Sequence, residues 1–346
     1  MKIKIGILGG SGYTGIELLR ILLNHENAEV TVITSRKYAG RKADTVFPSL
    51  SGLTSLSFTE PDLQEIASSC DIVFTCVPHQ TAMNVVPFLL EKGLKVIDLS
   101  ADFRLRDQRV YEEWYQEHSA AQYLGEAVYG LPEIYRDVIA SARLIANPGC
   151  YPTSCILPMF PLLKAGLVMA EGIIIDSKSG TSGAGRSTSI ATLFCEVNEG
   201  FKAYKVAEHR HTPEIEQEFS VAAGSPVTIN FTPHLVPMSR GILSTIYAMP
   251  VRGTAERDIR ECLEYAYSDS PFVQVLPEGT FPNVLNVRGT NLCHMAVKVD
   301  PRTGRVIVCS VIDNLCRGAS GQAVQNMNLM YGLDEGTGLA SVALYP

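Results

Sequence analysis

The sequence predicts an α/β protein with an N-terminal Rossmann dinucleotide-binding domain followed by an α+β domain. Three observations carry this. Short apolar runs alternate with helical patterns through the first half of the chain. A glycine-rich loop follows the first predicted strand. Past about residue 150 the alternation gives way to several consecutive strands. The length of 346 residues suits two domains at roughly 150 residues each.

Taken in order, Lys2–Leu8 reads as a strand and Gly12–Leu23 as a helix. Glu29–Thr34 reads as a second, β-branched strand. Further buried strands are expected at Asp71–Val77, Lys95–Leu99 and Arg143–Ala146, with a helical pattern over Thr81–Glu91. Strands alternating with helices imply a parallel sheet covered on both faces. Phe103–Tyr135 is polar, aromatic and irregular, and reads as an excursion before the last strand of that sheet. In the second half, strands are expected at Gly172–Ser177, Val227–Val236, Leu243–Val251, Phe272–Val275, Leu292–Val299 and Val306–Ile312. The turn Asp300-Pro-Arg-Thr-Gly304 joins the last two. Helical patterns at Pro152–Lys164, Pro213–Phe219 and Thr254–Tyr265 complete a mixed or antiparallel α+β domain, and a final helix spans about Gly318–Leu329.

Composition narrows the function. The net charge of −7 without a basic stripe lacks the footprint of a nucleic-acid binder. No apolar stretch is long enough to span a bilayer, and the start MKIKIGILGG lacks a secretory h-region and cleavage site. Nine cysteines, an odd number with no CxxC pair, read as a reduced cytoplasmic protein without a metal site.

Gly10-Ser-Gly12-Tyr-Thr-Gly15 fits GxGxxG, with Gly9 extending it. It follows a strand and opens a helix, the context in which a pyrophosphate meets a helix N-terminus. The second strand ends in Thr34-Ser35-Arg36-Lys37, where an NAD enzyme has an acidic residue for the ribose 2′-hydroxyl. A hydroxyl and two cations suit a 2′-phosphate instead, so the expected cofactor is NADP.

Asn147-Pro-Gly-Cys150-Tyr-Pro-Thr153 delivers a cysteine from a Pro-Gly turn to the start of a helix. A helix N-terminus stabilises a thiolate. A thiolate attacks an acyl phosphate to give a thioester, which accepts hydride far more readily than a carboxylate. The other eight cysteines lack this placement and read mostly as core. Glu208-His209-Arg-His211-Thr-Pro-Glu214 is the densest acid/base cluster; one of His209 and His211 would serve Cys150 and the other bind substrate. His25 and His118 read as surface residues, His294 as core, His234 as part of a strand, and His79 as lying at a strand's C-terminal end. Ser179-Gly-Thr-Ser182-Gly183-Ala-Gly185 offers backbone amides to an anion or a carboxamide. Arg104, Arg186, Arg210 and Arg240 are candidate carboxylate and phosphate contacts.

These stretches, with Cys76-Val-Pro78-His79, Asp98-Leu-Ser-Ala-Asp-Phe-Arg104 and Gly318-Ala-Ser-Gly-Gln-Ala-Val-Gln-Asn-Met-Asn328, resemble the N-acetyl-gamma-glutamyl-phosphate reductases over essentially the full length. The resemblance implies Cys150 as acyl-accepting nucleophile and His209 as acid/base, with His211 less settled. It implies cofactor contacts from Gly9, Ser11, Gly12, Tyr13, Thr14, Gly15, Ser35, Arg36, Cys76, Pro78, Ser182, Gly183 and Asn314. Substrate contacts are expected from Arg104, Asn147, His211 and Arg240. It also implies a glyceraldehyde-3-phosphate-dehydrogenase-like second domain over 150–314, through which copies assemble as a homo-oligomer. Residues 315–346 would return to the Rossmann domain of 1–149. The expected chemistry is NADPH-dependent reduction of an acyl phosphate to an aldehyde. Three alternatives stay open: a related substrate such as aspartyl phosphate or carrier-bound aminoadipyl phosphate, the reverse biological direction, and a non-catalytic NADP(H) sensor.

Overall fold

The computed structural model describes residues 2–345. The chain divides into two compact units, Met1–Pro148 with Ala319–Ala340, and Gly149–Gly318 with Ser341–Pro346. The tail past Ala340 thus goes with the second unit, where the Leu344 amide donates to the Arg288 carbonyl and Ser341 Oγ to the Gly289 carbonyl.

The first unit is built on β1 (Ile3–Leu8), β2 (Ala28–Thr34), β3 (Phe58–Thr59), β4 (Ile72–Thr75), β5 (Lys95–Asp98), β6 (Val128–Tyr129) and β7 (Leu144–Ala146). Their order is β3-β2-β1-β4-β5-β7-β6, and every pairing is parallel. The central strands are mostly buried because helices cover both faces; Ile72–Thr75 is buried at all four positions. The chain runs outward from β1 to β3, then returns to lay β4 on the other side of β1. The reversal opens a crevice at the carboxyl ends of β1 and β4, where ligands bind in open α/β sheets. The glycine loop and Cys76–His79 are the two segments that leave those ends.

The region 103–135 is more ordered than its composition suggests. It contains the helix Gln108–Trp114, capped by Asp107 Oδ1 accepting from the Arg109 amide, and β6, which lies outside β7. Two-residue strands such as β3 and β6 show no readable periodicity; their places are set by their partners. The helix Leu63–Ser69, capped by Asp62, was likewise absent from the sequence pattern. The helical stretch expected over Thr81–Glu91 is broken into a 3-10 turn at Ala82–Asn84 and a helix at Val86–Glu91, since Pro87 fits only a first turn. His25 and His118 are not surface residues but buried ones. Each is satisfied: His25 Nε2 pairs with Asn328 Oδ1 at 2.9 Å, and His118 Nε2 donates to the Asp102 carbonyl at 2.6 Å.

The second unit holds β8 (Ile173–Ser179), β9 (Lys202–Ala203), β10 (Ile229–Leu235), β11 (Ile242–Ala248), β12 (Val273–Val275), β13 (Cys293–Val299) and β14 (Val306–Ile312). The order β12-β13-β14-β11-β8-β10-β9 makes a mixed sheet, parallel at β8–β10 and β12–β13 and antiparallel elsewhere. Helices Cys150–Lys164, Thr212–Ala223 and Glu256–Ala266 pack with this sheet and with one another. Along β8 and β11 every second residue is buried and the alternate ones are half-exposed or exposed, as a sheet with one packed face requires.

The helix Cys150–Lys164 is almost wholly buried and carries Pro158 and Pro161 inside it. Each proline removes an amide and leaves a carbonyl one turn back without its helical partner. The carbonyl of Leu157, the one Pro161 releases, accepts from the buried Tyr267 hydroxyl. A side chain at the C-terminal end of helix Glu256–Ala266 thus replaces the missing bond in the helix that Cys150 opens.

Candidate active site

In the first unit, Gly9 stands at φ +80°, a left-handed conformation that favours glycine, and an added Cβ would lie 2.4 Å from the Cys76 carbonyl oxygen. The loops after β1 and β4 are therefore in close contact. A Cβ at Gly15 would lie 2.5 Å from Gly10 Cα, so helix Tyr13–Leu22 can close onto its own loop only there with glycine. A Cβ at Gly12 would meet just the Gly9 carbonyl, at 3.8 Å. It would project into the cradle itself, at the N-terminus where the first-turn amides and the helix dipole favour an anion. The residues present therefore fit a dinucleotide pyrophosphate. Tyr13 is exposed beside Thr14 in the same turn. Ser11 Oγ and Ser35 Oγ lie 2.8 Å apart, tying the cradle to the end of β2, where Arg36 is exposed.

Beyond β4, burial and then Asp98 push the Cys76 thiol well above the usual range. Pro78 is exposed, and His79 Nδ1 accepts from the Ala101 amide at 3.0 Å. Arg104 and Asn147 also belong to this unit, and both are buried. Arg104 Nε donates to the Asn147 carbonyl at 2.7 Å and Nη2 to the Leu99 carbonyl at 2.9 Å. The Asn147 amide spans Ala319 O and Asn326 Nδ2. These polar groups hold the fold together around β5 and β7.

In the second unit, Cys150 is the first residue of its helix and is partly exposed. Gly149 is the N-cap, with no side chain of its own to cap the turn. Thr153 closes that turn onto the Gly149 carbonyl with both its amide and its hydroxyl, each at 2.9 Å. The buried Glu214 accepts from the Gly149 amide at 2.8 Å, joining the start of helix Thr212–Ala223 to that of helix Cys150–Lys164. The first-turn amides and the helix dipole favour the thiolate of Cys150. By contrast the Cys155 thiol, one turn on, is buried and pushed up to about 11 by desolvation.

Tyr151 is the hub beside Cys150. Its ring meets His209 edge-on at 5.4 Å between centroids, His211 at 5.9 Å and Phe231 at 5.3 Å, and its hydroxyl lies 2.9 Å from that of Tyr204. His209 and His211 are 4.8 Å apart between centroids. Burial, then Lys205 and Arg210, hold the His209 imidazole down to about 3, so the ring is neutral at physiological pH. The His211 amide donates to His209 Nδ1 at 3.1 Å. Nδ1 is thus the acceptor, and Nε2 carries the proton.

Ser182 and Gly183 lie in the 3-10 turn Thr181–Ala184. Asn314 is buried and bound to that turn, with Nδ2 donating to Ser182 Oγ at 2.9 Å and Oδ1 accepting from the Gly241 amide at 2.8 Å. Arg240 lies 3.5 Å from the buried Asp313, and Asp313 also accepts from the Gly289 amide. Arg186 is exposed and Arg210 partly so. Sequence reasoning missed Tyr204 in this cluster, and it gave Glu214 and Gly318 no tie to Cys150 although both stand in the sequence motifs. A Cβ on Gly318 would lie 2.7 Å from Cys150 Cβ. Gly318→Ala is therefore expected to displace the nucleophile and lower turnover by about 10- to 100-fold. Steady-state rates beside an unchanged NADP dissociation constant check this.

Among the described residues no cluster of metal-ligating side chains occurs, and no helix is long and apolar enough to cross a membrane. The semialdehyde dehydrogenase NAD binding domain matches residues 4–142, and the semialdehyde dehydrogenase dimerisation domain matches 150–314. Among solved structures, aspartate semialdehyde dehydrogenase II of Vibrio cholerae superposes with a TM-score of 0.74 at 17% identity, over 96% of this chain and 99% of that one. The Candida albicans aspartate semialdehyde dehydrogenase with NADP gives 0.70 at 16%, over 96% and 99%. At that identity they share the fold. Curated relatives are much more similar. The N-acetyl-gamma-glutamyl-phosphate reductase of Desulfotalea psychrophila is 56% identical over 99% of this chain and 100% of its own length. That of Pelotomaculum thermopropionicum is 54% identical over the whole of both. The chain belongs to the N-acetyl-gamma-glutamyl-phosphate reductases, built on the semialdehyde dehydrogenase pair of domains.

Proposed function

We propose that this chain catalyses the NADPH-dependent reductive dephosphorylation of N-acetyl-gamma-glutamyl phosphate to N-acetylglutamate semialdehyde, the activity its relatives' names carry. The observation that supports it most is Cys150 at a helix N-terminus, with the His209–His211 pair packed on the adjacent Tyr151.

The Cys150 thiolate attacks the acyl carbon, forming the S–C bond as the C–O bond to phosphate breaks and inorganic phosphate leaves. Bound NADPH supplies the hydride that reduces the resulting thioester. His209 Nε2–H then donates to the oxygen that takes up negative charge, and the S–C bond breaks to release the aldehyde and restore the thiolate. A neutral imidazole suits this role, because it offers a hydrogen bond without a competing cation beside the thiolate. Asn314 and Ser182 hold one another in the turn proposed to meet the cofactor. Arg240, with His211, is the proposed grip on the substrate's anionic groups. The half-exposed face of β8 and β11 is the proposed surface for homo-oligomer formation.

Preference for NADP rests on Arg36 and Ser35. Arg36→Glu places a carboxylate where a 2′-phosphate would sit, and is expected to raise KM for NADPH by at least about tenfold while improving use of NADH. An unchanged NADPH/NADH ratio would remove Arg36 from the site. The reaction itself is tested by NADP reduction with N-acetylglutamate semialdehyde, with and without phosphate. Strict phosphate dependence is the expected result. Tight NADP binding without turnover would instead favour a carrier-bound substrate or a sensor.

A further inference from the structure

Asp102 is fully buried in the first unit. Its Oδ1 accepts from the Gln80 amide at 2.7 Å and from the Tyr111 hydroxyl at 3.0 Å, and its Oδ2 accepts from the Met83 amide at 3.1 Å. Two of these three donors belong to the loop that leaves β4. In that loop Gln80 stands at φ +72°. A non-glycine residue in this region persists only where its surroundings hold it. Two backbone amides of this loop donate to the one buried side chain, which holds such a residue in place. The neighbouring Ala101 amide adds a third tie, to His79 Nδ1.

The carboxylate is itself held from behind. The Asp102 amide donates to Ser100 Oγ at 3.1 Å, and its carbonyl accepts from His118 Nε2. The ring of Tyr111 stacks on Tyr115 at 4.8 Å, and Tyr115 meets His79 edge-on. The same loop begins at Cys76, whose carbonyl oxygen faces Gly9 of the pyrophosphate cradle. Whatever sets the shape of residues 78–83 therefore sets one wall of the crevice between β1 and β4.

We propose that Asp102 is a positioning residue for cofactor binding: its carboxylate latches the strained Pro78–Met83 loop so that Cys76–Pro78 form a preorganised wall for the dinucleotide. This rests on the reading of the crevice as the NADPH site, and it adds a residue that would not touch the cofactor. With the latch broken, part of the binding energy is spent on ordering the loop, and affinity falls. Once the cofactor is bound the chemistry on Cys150 proceeds much as before.

The test combines NADPH titration, steady-state kinetics and amide hydrogen exchange on the full chain. In the wild type, the Gln80 and Met83 amides are expected to be protected without cofactor. In Asp102→Asn only the side-chain oxygen accepts, so at least one of the two amides loses its partner and its protection. The Kd and KM for NADPH then rise by about tenfold, while kcat at saturation changes by less than about threefold. Tyr111→Phe removes the third donor and leaves both loop bonds; it is expected to lower Tm and leave the Kd within about twofold. Three results overturn the proposal: unprotected Gln80 and Met83 amides in the wild type, wild-type affinity in folded Asp102→Asn, or equal weakening in Tyr111→Phe. Should Asp102→Asn not fold, Gln80→Gly decides. Glycine bears no cost at positive φ, so it should keep wild-type affinity, and weakened binding would refute a latch that opposes strain. A wild type that binds no NADPH counts against the crevice reading, whereas the exchange data judge the latch separately.

Discussion

Cys150→Ala is expected to lower reductive dephosphorylation by about 10⁴-fold or more while leaving the fold and the NADP dissociation constant unchanged. The size of the effect follows from the division of labour. Without a thiol there is no thioester, and hydride would have to reach an acyl phosphate that nothing activates. The fold survives because Cys150 is partly exposed at a helix start, and its first turn is closed by Gly149 and Thr153. Cys150→Ser should be nearly as inactive, since an alcohol at that helix end stays protonated at neutral pH. Alkylation mapped by mass spectrometry supplies a second check. Cys155 is buried with its thiol pushed up, so fast labelling at neutral pH should fall on Cys150 and not on its neighbour. Cys195 is exposed in the helix Phe194–Val197, which is only a single turn long, and site mapping separates the two. A Cys150→Ala enzyme with wild-type turnover would refute the thioester route altogether.

The second large effect is expected at His209. Removing the imidazole should cost about 10²- to 10³-fold in kcat, the range of a positioned proton donor. His209→Gln, which keeps an N–H, should lose less than His209→Ala. The pH behaviour distinguishes this reading from a conventional base. Because burial, Lys205 and Arg210 hold the ring down to about 3, kcat/KM should show no acidic limb near pH 6.5 that belongs to His209. A limb there that disappears in His209→Gln would show that the ring enters the reaction charged. Stability carries the same signature. The folded ring binds its proton at about 3 and the unfolded ring near 6.5, so the unfolded chain takes up the proton first as pH falls. The stabilisation is complete above about pH 6.5 and is lost as the pH drops from there toward 3. His209→Gln should flatten that part of the stability–pH curve, and urea titrations at a series of pH values would show it.

Much of the fold and part of the site could be read before any coordinates. The Rossmann half is legible because β1, β2 and β4 carry apolar runs between helical patterns, and because the glycine loop follows β1 and opens a helix. The second sheet is legible from the alternation along β8 and β11 and from the turn between β13 and β14. Cys150 stands out for the same kind of reason: a Pro-Gly turn followed by a helix is a local arrangement, and the helix end acts on whatever residue stands first in it. The pair His209 and His211 is also local, two residues apart ahead of a Thr-Pro helix start.

What depended on distant partners was not legible. His25 and His118 read as surface histidines, but Asn328 and the Asp102 carbonyl supply hydrogen bonds that make their burial tolerable. Arg104 reads in the sequence as a candidate carboxylate or phosphate contact, and only the fold shows its guanidinium against the Leu99 and Asn147 carbonyls. Tyr204 has no sequence signal, yet its hydroxyl meets that of Tyr151. Gly318 looked like the start of a helix, and its requirement for glycine comes from Cys150. By itself the sequence determined the periods of its elements, the glycine loop that opens a helix and the cysteine at a helix start, since each follows from a few adjacent residues. The tertiary structure alone decided which polar side chains are spent on the fold and which tautomer His209 holds. Those outcomes turn on donors and acceptors meeting at hydrogen-bond distance from remote parts of the chain, and no spacing along the chain encodes that.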